Sequence, residues 1–273
     1  MNIEDITDII YEKEDNGICT ATLSRPKRRN AITLLTWLEL ETILIDMEQD
    51  KNAKVLIITG DPKGKAFSSG GYFDPNSGKM IPEHIKKEID FTDSARIKTV
   101  KALFSFSKPI IAAINGLAVG AGITMPLIGA DLIYMAEDAW IGFYFVKRGV
   151  MPEFAASYLL PFYVGFQKAK ELIYFGEKVT AQQALDYQMI NKVLPNDQLI
   201  PYAREQALRL IPPKGPSRAI KFMKTTMHAQ FNEILTATVE LENKGWRRLS
   251  NSKDMMESMK ALKEKRDPIF IGK

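Results

Sequence analysis

At 273 residues, 45% hydrophobic and 26% charged, the chain has the composition of an ordinary globular protein and is long enough to bury a large core without staples. One cysteine, Cys19, excludes an intrachain disulfide and a cysteine-cluster metal site, and the two histidines, His84 and His228, lack any ligand-spaced neighbour, so no metal is expected. A net charge of +4 favours small anionic molecules and falls well short of a nucleic-acid surface, so no nucleic-acid partner is expected.

The acid-rich start, Met1 to Asp15, has neither the apolar stretch of a secretory signal nor an Arg-rich transit pattern. Ile18 to Leu23 alternates like a strand, and Arg25-Pro26 ends it, because the residue before proline is pushed out of the helical region. After a basic loop, Leu34, Trp37, Leu38, Leu40, Ile43, Leu44 and Met47 recur at helical spacing, predicting an amphipathic helix from Thr33. Lys54 to Gly60 is an apolar run closed by glycine, the pattern of a strand buried on both faces. A Gly/Ser turn region follows, and Pro82 to Phe106 reads as helical with a break. Lys108 to Gly116 repeats the strand-then-glycine design. The next stretch, through Ala130, reads as a small-residue helix, and Asp131 to Met135 as another buried strand. The apolar stretch Pro109 to Ile128 is broken by Asn115 and several glycines, whereas a spanning helix wants about 20 apolar residues; a cytoplasmic chain with no membrane insertion is expected. Strand, glycine turn and helix thus alternate, which argues for an α/β protein with its ligand at the carboxyl ends of strands. From Thr180 the chain turns helical, with a helix over Gln198 to Leu210, a linker at Pro212, Pro213, Gly215 and Pro216, and a polar helical tail from Asn232 to Lys265. Its apolar stripe of Met255, Met259 and Leu262 is too thin to form a core, so the tail should pack on the body of the protein or on another subunit.

Several motifs fail on spacing. The run from Gly60 has only three residues before Gly64, and Ala66 in place of a Ser or Thr after Lys65, so it is a turn and not a phosphate loop. Gly120-Ala-Gly122 lacks the third glycine of a dinucleotide fingerprint at Met125. With two histidines and no G-x-S-x-G elbow, a Ser–His–Asp triad is a poor fit. What remains is a pair of strand-end glycine turns, Ser68 to Gly71 and Val119 to Gly122. Such turns either permit tight packing or bring backbone N–H groups to one ligand oxygen.

Leu23-Ser-Arg-Pro-Lys-Arg-Arg-Asn-Ala-Ile32, Lys65-Ala-Phe-Ser-Ser-Gly-Gly71, Lys108-Pro-Ile-Ile-Ala-Ala-Ile-Asn-Gly-Leu-Ala-Val-Gly120 and Ala130-Asp-Leu-Ile-Tyr134 follow one another along the chain, which ends in Glu264-Lys-Arg-Asp-Pro-Ile-Phe270. In order and spacing these motifs resemble the enoyl-CoA hydratase/isomerase family, the crotonase superfamily. The resemblance implies an α/β fold, a crotonase-like spiral of repeated β-β-α units, with residues 1–200 as the core and 201–273 as a helical trimerisation region. It implies an acyl-CoA thioester as substrate, with coenzyme A part of that substrate and no separate cofactor, and assembly as a homotrimer or dimer of trimers. It makes the backbone N–H of Gly71 one oxyanion donor and that of Ala121 the other, although a stretch from Gly116 to Asp131 one residue longer than usual leaves Gly122 as an alternative. Lys27 and Arg28 resemble the contact with CoA phosphates, the backbone of Ala66, Phe67, Ser68 and Ser69 the adenine pocket, and Lys265 and Phe270 a reach to a neighbouring subunit's CoA.

The family's reactions diverge by the carboxylates in the pocket, and fold alone does not choose among them. Hydratases resemble one another in carrying two glutamates, at places that here fall near Thr124 or Met125 and at Phe145. One carboxylate remains, Glu153 in Val150-Met-Pro-Glu-Phe-Ala-Ala-Ser-Tyr158, a stretch similar to peroxisomal-type Δ3,Δ2-enoyl-CoA isomerases. By position alone Pro152-Glu153 suits the first turn of a helix, where an acid complements the macrodipole; by resemblance Glu153 is the single acid–base group of a double-bond shift. Burial would raise its pKa and a helix terminus would lower it. The chain departs from the family at Gly71-Tyr72-Phe73, where Ala-Asp-hydrophobe is common. Tyr72, Phe143, Tyr144 and Phe145 either line an aromatic pocket or fill core. An aromatic at that turn also resembles the 4-chlorobenzoyl-CoA dehalogenases, which makes carboxylate-nucleophile chemistry the alternative enzyme; a non-catalytic binding protein is the alternative of another class.

Overall fold

In the computed structural model, which describes residues 1–72 and 81–273, the apolar runs become strands whose burial follows their pattern. Val55–Gly60 (β3) and Ile110–Ile114 (β5) are buried at every position, as strands covered on both faces must be. With Ile9–Lys13 (β1), Ile18–Leu23 (β2), Leu132–Ala136 (β7) and Lys192–Leu194 (β10) they form a six-stranded sheet in the order β1-β2-β3-β5-β7-β10, antiparallel only between β1 and β2. A second sheet joins Ala66–Ser68 (β4), Leu117–Val119 (β6), Trp140–Gly142 (β8) and Lys178–Thr180 (β9) in the order β4-β6-β8-β9, antiparallel only between β8 and β9.

The two sheets are built by one repeated move. A long strand enters the large sheet, a few residues of turn follow, a three-residue strand enters the small sheet, and a helix returns the chain. β3 and β4 lead to Glu83–Lys86 (α2) and Ile97–Ser105 (α3), β5 and β6 lead to Ala121–Gly129 (α4), and β7 and β8 lead to Ala156–Val164 (α5). Before them Leu34–Gln49 (α1) begins at Thr33, whose side chain accepts the Thr36 N–H at 3.1 Å, and buries Trp37, Leu40, Ile43, Leu44 and Met47. The chain closes with Phe166–Phe175 (α6), Ala181–Asp186 (α7), Asn196–Leu210 (α8), Ser217–Ala229 (α9), Asn232–Leu249 (α10) and Lys253–Glu264 (α11). α8 runs through residues 200 and 201 and packs against β3, β5 and β7, whereas α10 packs on α3 and α5 and α11 on the turn Val146–Arg148.

The helix expected directly after Gly116 starts late. Leu117–Val119 is β6, and the helix begins only at Ala121, because the short run pairs in parallel with β4 on one side and β8 on the other. β9, just before the region read as helical, and β10, within it, are likewise three residues long and show no period of their own. Phe73, next to the first glycine turn, lies outside the described residues.

The small sheet positions the two glycine turns. β4 and β6 are parallel neighbours with Ser68 paired to Ala118, so the turns that follow them leave at the same end of the sheet. They approach so closely that a Cβ on Gly70, at φ +86°, would lie 2.4 Å from the Val119 carbonyl oxygen. The basic turn Pro26–Arg28 is tied to the loop before β4 by Asn30, which is 1% exposed. The Asn30 amide donates to the carbonyls of Asp61 (3.0 Å) and Ala66 (2.7 Å) and accepts the Arg25 N–H (3.2 Å). Asn30→Ala leaves these buried groups unpaired and is expected to cost about 2–4 kcal/mol, read as a lower urea midpoint at an unchanged m-value.

Candidate active site

A cavity of about 450 Å³ opens where the carboxyl ends of β4, β6 and β8 meet. The turn after β4 contributes Ser69, Gly71 and Tyr72, and the turn after β6 contributes Gly120 and Ala121. Tyr144, Phe145, Arg148, Val150 and Glu153 come from the segment after β8, Arg28 and Ala31 from the basic loop, and Leu262 from α11. Of the residues singled out in the sequence, Arg28, Ser69, Gly71, Tyr72, Ala121, Phe145 and Glu153 therefore meet in one place.

Two backbone N–H groups in this cavity are unspent among the described residues. Across the bridge between Ile32 and Gly71 the bonds run from Ile32 N–H to Gly70 O and from Tyr72 N–H to Ile32 O, so the Gly71 N–H takes no part in them. Ala121 is the first residue of α4, where an N–H has no partner within the helix, and the dipole there favours negative charge. Ala121 lines the cavity; Gly122 does not, because it is pressed against β4, where a Cβ would lie 2.5 Å from the Ser68 carbonyl oxygen.

Glu153 is 8% exposed and is the only acidic residue lining the cavity among the described residues. Thr124 and Met125 are buried in α4, and Phe145 presents an aromatic ring, so the places where hydratase-like relatives would carry glutamates hold none. No described residue donates a hydrogen bond to the Glu153 carboxylate. Burial pushes its pKa up to about 7; the Arg96 guanidinium pulls it down, and the carboxylates of Glu242 and Asp93 push it further up.

Glu153 does not stand in the first turn of a helix. α5 begins at Ala156, after Phe154 and Ala155 take left-handed backbone angles of φ 62° and 53°. Its N-terminus is capped from afar: the Glu242 carboxylate of α10 accepts the Ala155 N–H at 2.8 Å and the Ser157 N–H at 3.0 Å. Glu242 is itself buried, which pushes its pKa up to about 7 against the pull of those two bonds. The next residue, Asn243, accepts the N–H groups of Ser94 (2.9 Å) and Ala95 (3.1 Å), just before Arg96.

Other expected residues lie elsewhere. Ala66, Phe67 and Ser68 are fully buried in β4: the Ala66 carbonyl is taken by Asn30 and the Ser68 hydroxyl by the Gly70 N–H at 3.1 Å. Lys27 is exposed on the Arg28 turn, beside the cavity lining but not in it. Lys265 caps the end of α11, and Phe270, 41% exposed, follows it; neither lines the cavity. Phe143 is core, while Tyr144 and Phe145 are cavity wall. The sequence reading missed Arg148, Val150 and Leu262. The thin apolar stripe of α11 was a signal for Leu262, and nothing in the spacing marked Arg148.

Among the described residues no group of three His, Cys, Asp or Glu side chains is placed to hold a metal ion, and no helix is long and apolar enough to cross a membrane. A family model described as enoyl-CoA hydratase/isomerase matches residues 13–273. The chain is 29% identical over 267 residues to 1,2-epoxyphenylacetyl-CoA isomerase of Escherichia coli K12, covering 97% of this chain and 99% of that one. Its fold is similar to the crystal structure of an enoyl-CoA hydratase/isomerase from Pseudoalteromonas atlantica T6c, with TM-score 0.85, 26% identity and 97% and 100% of the two chains covered. It is also similar to that of an enoyl-CoA hydratase from Mycobacterium avium subsp. paratuberculosis K-10, with TM-score 0.83, 25% identity and 97% and 99% covered. The paired strands, their unspent N–H groups and these matches agree along the whole length: the chain is a crotonase-fold protein and belongs to the enoyl-CoA hydratase/isomerase family.

Proposed function

We propose that the protein shifts the double bond of an enoyl-CoA thioester from the 3- to the 2-position. The observation that carries this reading is the lone carboxylate: among the described residues Glu153 shares the cavity with two free N–H donors and with no second acid. The Glu153 carboxylate takes a proton from C2 of a 3-enoyl thioester, and the electron pair moves into a dienolate whose oxygen the Gly71 and Ala121 N–H groups receive. The same carboxyl then returns its proton to C4, giving the conjugated 2-enoyl thioester with no net gain or loss of atoms. An oxyanion donor of this kind is worth roughly 2.7–4 kcal/mol in other enzymes. A pKa near 7 suits a group that must both accept and release a proton at neutral pH.

Arg28 at the cavity and Lys27 on the same turn receive the CoA phosphates, and the backbone of Ser69, the one of residues 66–69 that lines the cavity, flanks the adenine. Exposed Phe162, Phe166, Phe222, Met223, Met227 and Leu241 on α5, α6, α9 and α10 form apolar surface that a second and third copy would cover, bringing Lys265 and Phe270 towards a neighbour's CoA. Light scattering at micromolar concentration is expected to give a trimer or a dimer of trimers, and a monomer would remove this role from the tail.

Incubated with 3-enoyl-CoA thioesters, the wild type is expected to form the conjugated product, and Glu153→Gln to lose about 10²-fold or more in kcat. Because the base must be ionised, kcat/KM should fall as pH drops through about 7. A folded pKa above the ordinary value means that the ionised carboxylate destabilises the fold at higher pH. Glu153→Gln should therefore melt no lower than wild type at pH 8, separating lost chemistry from lost fold. Hydration of the 2-enoyl thioester without isomerisation, or full activity in the variant, would overturn the reading. Glu242 raises the Glu153 pKa, so Glu242→Gln should move the acid limb of the pH profile to lower pH.

A further inference from the structure

The cavity contains a charged side chain that the proton transfer does not use. Arg148 ends the 3-10 turn Val146–Arg148, with its N–H donated to the Phe145 carbonyl (2.9 Å) and its own carbonyl accepting the Ser258 hydroxyl of α11 (3.0 Å). Its backbone is thus pinned between the cavity and the C-terminal helix. Its guanidinium, half-buried in the cavity wall, has no hydrogen-bond partner, ion pair or ring contact among the described residues.

The charges around it are engaged elsewhere. Lys147 lies over the Tyr144 ring at 4.1 Å, and Arg25 and Arg28 lie over the Tyr72 ring at 4.8 and 5.7 Å. On α11, Glu257 and Glu264 bind Arg266, and Asp254 accepts the Ile271 and Gly272 N–H groups. Glu153 is balanced by Arg96. Burial alone acts on Arg148, lowering its pKa with no chain carboxylate opposing the shift. A guanidinium drawn out of water is costly unless an anion meets it, and its planar fork matches a carboxylate.

We propose that Arg148 binds a carboxylate on the acyl group, making the substrate class an ω-carboxyacyl-CoA thioester. The placement favours the acyl end over the CoA phosphates. Arg148 shares its wall with Phe145, Val150 and Leu262, apolar side chains suited to methylenes, and lies on the segment that carries Glu153. Arg28 comes from the basic loop instead. The inference deepens the isomerase reading and rests on it for the identity of the thioester.

The test is equilibrium binding by calorimetry with saturated, unreactive acyl-CoAs of matched length, with and without an ω-carboxylate, and with free CoA. Wild type is expected to prefer the ω-carboxyacyl thioester by about 10- to 100-fold, the scale of a charge-assisted hydrogen bond in a desolvated site. Arg148→Leu should erase that preference while leaving affinity for free CoA and for the neutral acyl-CoA intact, and Arg148→Lys should keep part of it. Arg148→Gln repeats the reading if the leucine variant does not fold. No preference in wild type, or an equal loss of free CoA affinity in the variants, overturns the proposal, the second outcome assigning Arg148 to the CoA phosphates. A binding preference erased by Arg148→Leu in a protein that isomerises no 3-enoyl thioester sustains the proposal and removes only the isomerase reading.

Discussion

The start of a buried helix exposes N–H groups that must find acceptors, and in this chain the acceptor comes from a different helix. Glu242 of α10 takes the N–H groups of Ala155 and Ser157, so Glu153, two residues before the cap, is released from that duty. The two N–H bonds pull the Glu242 pKa down against its burial, whereas Glu153, uncapped and desolvated, receives no such bond from any described residue and is opposed in its upward shift by the Arg96 charge. Asn243 performs the matching task for the turn before Arg96, so adjacent residues of α10 fix both the carboxylate and the cation that opposes its shift. The helical tail therefore belongs to the electrostatics of the cavity as well as to its architecture.

The placing of the Gly71 and Ala121 N–H groups in one cavity depends on a second constraint, the parallel pairing of two three-residue strands. β4 and β6 are too short to contribute much stability themselves, yet pairing Ser68 with Ala118 brings the ends of two successive units to the same level. The long strands β3 and β5 beside them are buried at every position and hold the frame. The design separates tasks: the large sheet supplies the hydrophobic core, and the small sheet supplies registration.

Much of this was legible in the chain. Runs such as Val55 to Gly60 are long, apolar and glycine-closed, and the motifs around Asn30, Gly71 and Gly120 lie where the fold needs a tied loop or a tight turn. Seven of the named site residues converge because their positions are fixed by backbone turns that the sequence marks with glycine, proline and asparagine. The short strands β6, β9 and β10 were invisible, since three residues give no period and their partners are distant in sequence. Glu242 reads as a polar position on an amphipathic helix, and only its distance of 87 residues from Ala155, closed by folding, makes it a cap. Arg148 sits in a charged turn that looks solvated until α11 packs over it.

Both N–H groups proposed to receive the thioester oxygen are main-chain atoms, and the only requirement they place on side chains is smallness nearby. Point substitution can thus alter the groups at 144–153, or the helix that covers them, without deleting these two N–H groups. In the proposed mechanism the enolate is stabilised by groups that come with the fold, while its fate is written in about ten residues after β8 and in the face of α11. A lineage built this way can change its reaction through inactive or promiscuous intermediates that still fold and still bind their thioester.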